Sequence, residues 1–110
     1  MKSMITFFGD ESKVIKTLKK YYVRTENNYM IFPYINKSNQ LTYVKKMGYN
    51  GFNRTKYIYT PFKAKIGVFK QCLFGLHLVD SSKTVHVVES EKTALICDIY
   101  YPKYTWVATG

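Results

Sequence analysis

The chain has 110 residues, 46% of them apolar, so it is long enough for one small domain and too apolar for a disordered tail. Seventeen Lys and Arg against seven Asp and Glu give a formal charge of +10, which favours a polyanionic partner, most commonly nucleic acid. No apolar run approaches membrane-spanning length, and this predicts a soluble, cytoplasmic protein without a membrane partner.

The first predicted element is a helix from Glu11 to Tyr22, because apolar residues recur there at helical spacing. The other side of this helix is basic. It carries Lys13, Lys16, Lys19 and Lys20. Lysines near a helix C-terminus suit the helix dipole, so the sequence favours a solvated face for this cluster over a binding site.

Antiparallel strands follow the helix. Residues 29–35 and 41–47 are rich in β-forming residues and flank a polar turn, which predicts a hairpin. Pro33 limits the first strand of this hairpin to an edge or a bulged position. A third strand is predicted over 54–59, with Pro61 as its stop.

The last third of the chain has the pattern of a parallel β–α–β unit. An apolar run over 84–89 predicts a buried interior strand, and 91–100 has helical spacing with Ser90 as the N-cap. Residues 105–109 predict a final strand. The predicted class is therefore α+β, with an N-terminal helix and antiparallel sheet followed by this unit.

The change of pattern near residue 80 predicts two parts. Residues 1–80 form a basic N-terminal subdomain, and residues 81–110 begin an α/β module. The positive charge is concentrated in the N-terminal half, because residues 1–60 hold eleven Lys or Arg and three acids. The attraction for a polyanion therefore lies mainly in the first half.

The segment 87–94, Val-Val-Glu-Ser-Glu-Lys-Thr-Ala, carries the clearest chemical signal. It places Glu89 where a strand ends and a helix begins, the position at which open α/β sheets bind ligands. A carboxylate there can act as a general base or hold Mg²⁺ beside a phosphate. Alternatively, Glu89 and Glu91 are simply favourable negative charges at a helix N-terminus.

The same segment resembles a known motif. Residues 88–94 look like the first motif of Toprim domains, the α/β modules shared by bacterial primases and topoisomerases. Residues 106–110 are similar to the second strand and small-residue turn of that module. Three upstream stretches, 31–36, 43–49 and 70–77, resemble primase-like proteins carried by bacterial conjugative elements and phages.

The resemblance implies roles for specific residues. Glu89 matches the Toprim glutamate, the general acid/base at the phosphodiester, and Glu91 and Lys92, which follow it in the motif, are the further catalytic candidates. The basic stretch that meets nucleic acid in primase-like relatives corresponds here to Lys45, Lys46, Arg54 and Lys56. A lysine pair on a hairpin is also a common device against aggregation, so the sequence leaves both readings of this stretch open.

The chain departs from the Toprim pattern in one respect. Toprim catalysis needs a later Asp-x-Asp that holds Mg²⁺, and the sequence ends at Gly110 without one. Asp98 is the nearest aspartate, and it falls inside the predicted helix. The expectation is a shortened or partial relative without catalysis or a cofactor in this form; Mg²⁺ binding would need a complete module, and Glu89 is its one candidate ligand.

Two functions remain open on the sequence. One is a primase-like protein that binds single-stranded DNA or RNA through its basic first half. The alternative is a small non-catalytic interaction protein that binds or inhibits a host replication or defence component. A two-stranded parallel sheet also leaves an unpaired edge, which predicts self-association or a protein partner that covers that edge.

Overall fold

The first element of the computed structural model is the helix α1, which covers Glu11–Lys20. The structure describes residues 11–26, 29–50, 53–63 and 72–110. Val14 and Leu18 lie one helical turn apart and are buried against the core. The periodicity of the apolar residues therefore predicted the packed side of this helix correctly.

The helix ends two residues before the predicted Tyr22. Tyr22 has a φ angle of 58°, in the left-handed region. Its amide donates to the Lys19 carbonyl at 3.1 Å, and the Val23 amide donates to the Leu18 carbonyl at 2.9 Å. Together these bonds form a Schellman motif, in which glycine or asparagine usually takes the left-handed position. A tyrosine at this position carries no sequence signal for a helix end.

An antiparallel sheet follows, with its four strands among the described residues in sequence order. The strands are β1 (Arg24–Glu26), β2 (Tyr29–Ile35), β3 (Leu41–Asn50) and β4 (Asn53–Lys63). The predicted hairpin is confirmed as β2 and β3. In its turn, the side-chain oxygen of Asn36 accepts from the Ser38 and Gln40 amides at 2.9 and 3.0 Å.

The prolines of this sheet lie where strand pairing is interrupted. β1 pairs with β2 only as far as Ile31. Among the described strands, Pro33 therefore has a neighbouring strand on one side only, which is β3. β4 continues through Pro61, and the predicted stop there is wrong. The register between β3 and β4 shifts between Val44 and Lys46, where the one intervening β3 residue opposes two β4 residues, including Pro61. Such a bulge tolerates the missing proline amide.

The β–α–β unit is confirmed in the last third of the chain. β5 (Val85–Val88) and β6 (Thr105–Ala108) pair in parallel, and α2 (Glu91–Tyr100) connects them. The Ser90 hydroxyl oxygen accepts from the Thr93 amide at 3.2 Å, which is the predicted N-cap. In the described part of the chain, no helix has the length and apolar character needed to cross a bilayer.

β5 is less buried than its apolar sequence predicts. Val85 and Val87 are 36% and 57% exposed, whereas Thr105 and Val107, their partners on β6, are buried. Among the described strands β5 pairs with β6 alone. Within the described part of the chain it is therefore an edge strand with one exposed face, which differs from the predicted buried interior strand.

The apolar core of the described residues crosses the predicted boundary at residue 80. Phe74 is central to it, because its backbone exchanges hydrogen bonds of 2.9 and 3.0 Å with Ala108. The Phe74 ring stacks on Tyr21 at 5.2 Å and meets the edge of Phe32 at 5.7 Å, while Leu95 of α2 is fully buried in the same cluster. Described residues on both sides of residue 80 therefore contribute to one apolar cluster.

Candidate functional site

Glu89 lies in the short turn between β5 and α2, and its side chain is exposed to solvent. The backbone of this turn is held firmly. The Gly110 amide and the Thr109 hydroxyl both donate to the Glu89 backbone carbonyl, at 2.8 and 3.2 Å, and the Thr109 amide donates to the Val88 carbonyl at 3.0 Å. The structure thus presents the Glu89 carboxylate to solvent at the carboxyl end of a parallel strand, as predicted.

Glu91 occupies a different environment, although it is only two residues away. Its side chain is fully buried, and its Oε2 lies 2.6 Å from the Lys45 ammonium nitrogen. The Tyr34 hydroxyl donates a hydrogen bond to the same oxygen. Burial, followed by this bond to Glu91, raises the pKa of Tyr34 far above its ordinary value, so the hydroxyl keeps its proton and remains a donor.

The other oxygen of Glu91, Oε1, is buried without a hydrogen-bond partner among the described residues. Gly110 packs closely on this cluster with a φ angle of 89°, and a Cβ atom added there would lie 3.3 Å from Glu91 Oε2 and would overlap the Tyr34 hydroxyl. The cluster of Glu91, Lys45 and Tyr34 therefore joins α2 to β2 and β3 in the interior. It does not form an exposed pair of acids with Glu89.

Lys45 and Lys46 do not form one basic surface. They are neighbours on β3, so their side chains lie on opposite faces of the sheet. Lys45 is 9% exposed and bound to Glu91. Lys46 lies on the other face, with its ammonium 3.6 Å from Glu26 and 5.1 Å from the centre of the Tyr29 ring. The basic stretch that the resemblance indicated is therefore divided between the two faces of the sheet, and its Lys45 is withdrawn from solvent.

The remaining predicted residues are divided between two elements. Lys92, on the first turn of α2, is 7% exposed, and burial lowers the pKa of its ammonium group. Because Lys92 is withdrawn from solvent while Glu89 is exposed, the structure does not bring them to one surface. Arg54 and Lys56 lie on β4, beside β3, and the register places Arg54 opposite Tyr49.

A second polar cluster ties α1 to α2. Asp98 is 3% exposed, and its two oxygens accept from the Thr17 hydroxyl and the Lys20 ammonium, each at 2.7 Å. Both donors come from α1, one turn apart. The carboxylate thus has a charged partner and a neutral donor, which are what a buried acid requires. Asp98 holds the two helices together and is not available as a metal ligand.

A basic cleft of about 360 Å³ lies where α1 and α2 meet. We call it the lysine cleft. Among the described residues, its lining consists of Lys13, Lys16, Thr17, Lys20, Lys83, Asp98, Ile99, Tyr100 and Pro102. The Lys83 ammonium donates to the Pro102 carbonyl at 3.0 Å. Tyr100, at the end of α2, is 55% exposed. The cleft therefore combines several cations with a partly exposed aromatic ring.

Only some of the residues that line this cleft could be grouped from the sequence. Lys13, Lys16 and Lys20 follow helical spacing on one side of α1, whereas Lys19 lines a different, mainly apolar pocket. Helical spacing alone had placed Lys19 on the same side as the other three lysines, so the division comes from the structure. Lys83 and Tyr100 are distant in the chain, and only the packing of α2 on α1 brings them to the same place.

The carboxylates of the described residues do not assemble a magnesium site. No group of three or more His, Cys, Asp and Glu side chains in these parts of the chain is placed to hold a metal ion. Glu91 is bound by Lys45 and Tyr34, so it does not join Glu89 as a second ligand. A hard cation at Glu89 would need further oxygen ligands from other residues.

Comparison with known proteins identifies a family for the chain. No curated protein matches the chain. A family model described as a domain of unknown function (DUF6371) matches residues 1–110, which is the whole chain. The chain therefore belongs to the DUF6371 family.

Proposed function

We propose that this domain binds single-stranded nucleic acid as part of a Toprim-type primase-like protein of a bacterial mobile element, with Glu89 as its Toprim glutamate. The observation that carries the proposal is the Glu89 turn. An exposed carboxylate follows a strand that pairs in parallel with β6, and a helix capped by Ser90 begins at once. This is the position from which α/β sheets meet their ligands.

The charge of the chain supports a nucleic-acid ligand. A formal charge of +10 on 110 residues attracts phosphates and gains free energy by releasing their counterions. The lysine cleft adds a local concentration of cations beside an exposed tyrosine. Lysines neutralise phosphates and aromatic rings stack on unpaired bases, so the combination suits a single strand.

The proposed activity of this domain is binding rather than catalysis. Phosphodiester chemistry of the Toprim type depends on clustered carboxylates that hold a metal, and Glu89 by itself does not make that cluster. In the proposed role Glu89 is one half of a site that other acidic residues would complete. The proposal also places the protein in the cytoplasm, where its nucleic-acid partner is found.

The proposal is tested by fluorescence anisotropy with a labelled oligothymidylate of roughly 20 nucleotides. We expect the 110-residue chain to bind it, and the affinity to fall steeply from about 50 to about 200 mM salt. Three or more phosphate contacts on a single strand would give a log–log slope of about −2 or steeper. Absence of binding at the lowest salt would contradict the proposal.

The exposed edge of β5 supports one other candidate function. Val85 and Val87 present apolar surface on a strand that pairs on one side only among the described strands. This fits the alternative of a non-catalytic protein that binds a host replication or defence component. A specific protein captured from a host lysate, together with no affinity for the oligothymidylate, would favour that alternative.

A further inference from the structure

We infer that the single strand binds in the lysine cleft between α1 and α2, and not on the β3 lysines that the sequence indicated. The inference rests on the proposed function, since it names the surface that carries it. Lys13, Lys16 and Lys83 provide its phosphate contacts, and Tyr100 provides a stacking surface for a base.

The charges that line the cleft fit a phosphate backbone. Four lysines and one carboxylate line it among the described residues, so positive charge is in clear excess. Asp98, the carboxylate, is buried and already accepts from Lys20 and Thr17, so its charge is offset within the protein. The lining as a whole is therefore positively charged, which attracts an approaching polyanion.

The two walls of the cleft come from different elements. Lys13 and Lys16 are exposed side chains on α1, whereas Lys83 precedes β5 and reaches across to the end of α2 by its bond to the Pro102 carbonyl. Cations on both walls can contact successive phosphates of one flexible strand. A rigid duplex, whose phosphates lie on the outer surface of a wide rod, adapts less readily to cations on two walls of a cleft of about 360 Å³.

Tyr100 gives the cleft its preference for unpaired bases. It lines the cleft and is 55% exposed, and the adjacent Tyr101 is also 55% exposed, with the two ring centres 6.3 Å apart. A base can stack on an aromatic ring only when its own face is uncovered, as in a single strand. The site therefore selects single strands over duplexes of the same length.

The β3 lysines are the weaker alternative for geometric reasons. Lys45 is withdrawn into the interior by Glu91, and Lys46 lies on the opposite face with Glu26 beside it. An ammonium already opposed by a carboxylate gains less from a phosphate. The lysine cleft, by contrast, combines four lysines with an exposed aromatic side chain.

The test compares two double variants that lower the charge equally. Lys13→Gln with Lys16→Gln removes two cations from the cleft, whereas Lys19→Gln with Lys37→Gln removes two exposed lysines that do not line it. We expect the cleft variant to bind oligothymidylate about tenfold more weakly and to show a salt slope shallower by about 1.4, at about 0.7 for each lost contact. The control variant should change affinity less than about twofold, because it loses only non-specific attraction.

A second comparison tests the aromatic contact. Tyr100→Ala should weaken binding about fivefold or more with an unchanged salt slope, because stacking releases no counterions. Tyr22→Ala is its control, since Tyr22 is 61% exposed and does not line the cleft. Far-UV circular dichroism confirms that each variant is folded.

The outcomes separate the inference from the proposed function. If the unaltered chain binds the strand and the two double variants lose affinity equally, the cleft is not the site. The proposed function is then retained, and the strand binds at another surface. If the unaltered chain does not bind, the proposed function itself fails. A loss confined to the cleft variant, together with weaker binding to a duplex of the same sequence, supports the inference.

Discussion

At the scale of single residues, Glu91 is a buried charge whose stability depends on its two partners. Its carboxylate is fully buried and is stabilised by Lys45 and Tyr34. We expect Glu91→Gln to lower the free energy of unfolding by about 3 kcal/mol, because it leaves the Lys45 ammonium as an uncompensated buried charge. Urea denaturation at neutral pH measures this change, and the amide retains an oxygen for the Tyr34 hydroxyl.

A matched double variant separates charge from packing. Lys45→Met in the Glu91→Gln background removes the orphaned ammonium and keeps a side chain of similar length. It should recover a large part of the lost stability, since replacing both members of a buried ion pair is often close to neutral. If Glu91→Gln alone costs less than about 1 kcal/mol, the ion pair is exposed enough to behave like a surface pair, contrary to the structure.

His77 links stability to pH. Its Nε2 lies 3.1 Å from the Lys20 carbonyl, which can only accept, so Nε2 carries the proton of the neutral ring. Nδ1 is buried without a hydrogen-bond partner among the described residues. Burial therefore lowers the pKa of His77, because a second proton would sit on Nδ1 with no acceptor.

The direction of the pH effect follows from this lowered pKa. Below the ordinary histidine pKa of about 6.5, the unfolded chain binds a proton that the folded chain resists, so stability falls as the pH decreases from about 7 to about 5. His77→Gln keeps a donor for the Lys20 carbonyl and removes the titration. Urea midpoints measured across this range should fall less in the variant, and parallel curves for the two proteins would refute the assignment.

At the scale of elements, the sequence predicted α2 and the β2–β3 hairpin well because their signals are local. Ser90 is a favoured cap residue, and the polar turn after β2 contains Asn36, whose side chain bonds the turn backbone. Errors arose where tertiary context decides. Tyr22 ends α1 without a glycine, and Pro61 lies in a bulge that only the β3–β4 register reveals.

For the candidate sites too, local patterns were predictable from the sequence and tertiary contacts were not. The exposed turn at Glu89 was predictable, because a strand that ends in an acid before a capped helix is a contiguous pattern. The burial of Glu91 was not, since it depends on Lys45 and Tyr34 from two other strands. The lysine cleft likewise needs Lys83 to meet α1. Charge counting found a basic protein, but it could not say which lysines share a surface.

At the scale of the whole molecule, the shared core argues against independent halves. Phe32 and Tyr34 of the antiparallel sheet are fully buried in the same cluster as Leu95 and Ala108 of the β–α–β unit. The Glu91–Lys45 ion pair and the bonds of Asp98 to α1 cross the same boundary. Separating the two parts would expose apolar surface and leave buried charges on both sides without partners.

We therefore expect the chain to unfold in one cooperative step. Trp106, the single tryptophan, lies on β6, so its fluorescence reports the β–α–β unit, whereas far-UV circular dichroism averages over all elements. Urea transitions followed by the two probes should have the same midpoint and slope. The Glu91→Gln variant is the control, because the lost pair belongs to both parts and both transitions should shift together. A fluorescence transition separate from the circular dichroism transition would instead show that residues 81–110 unfold as a unit of their own.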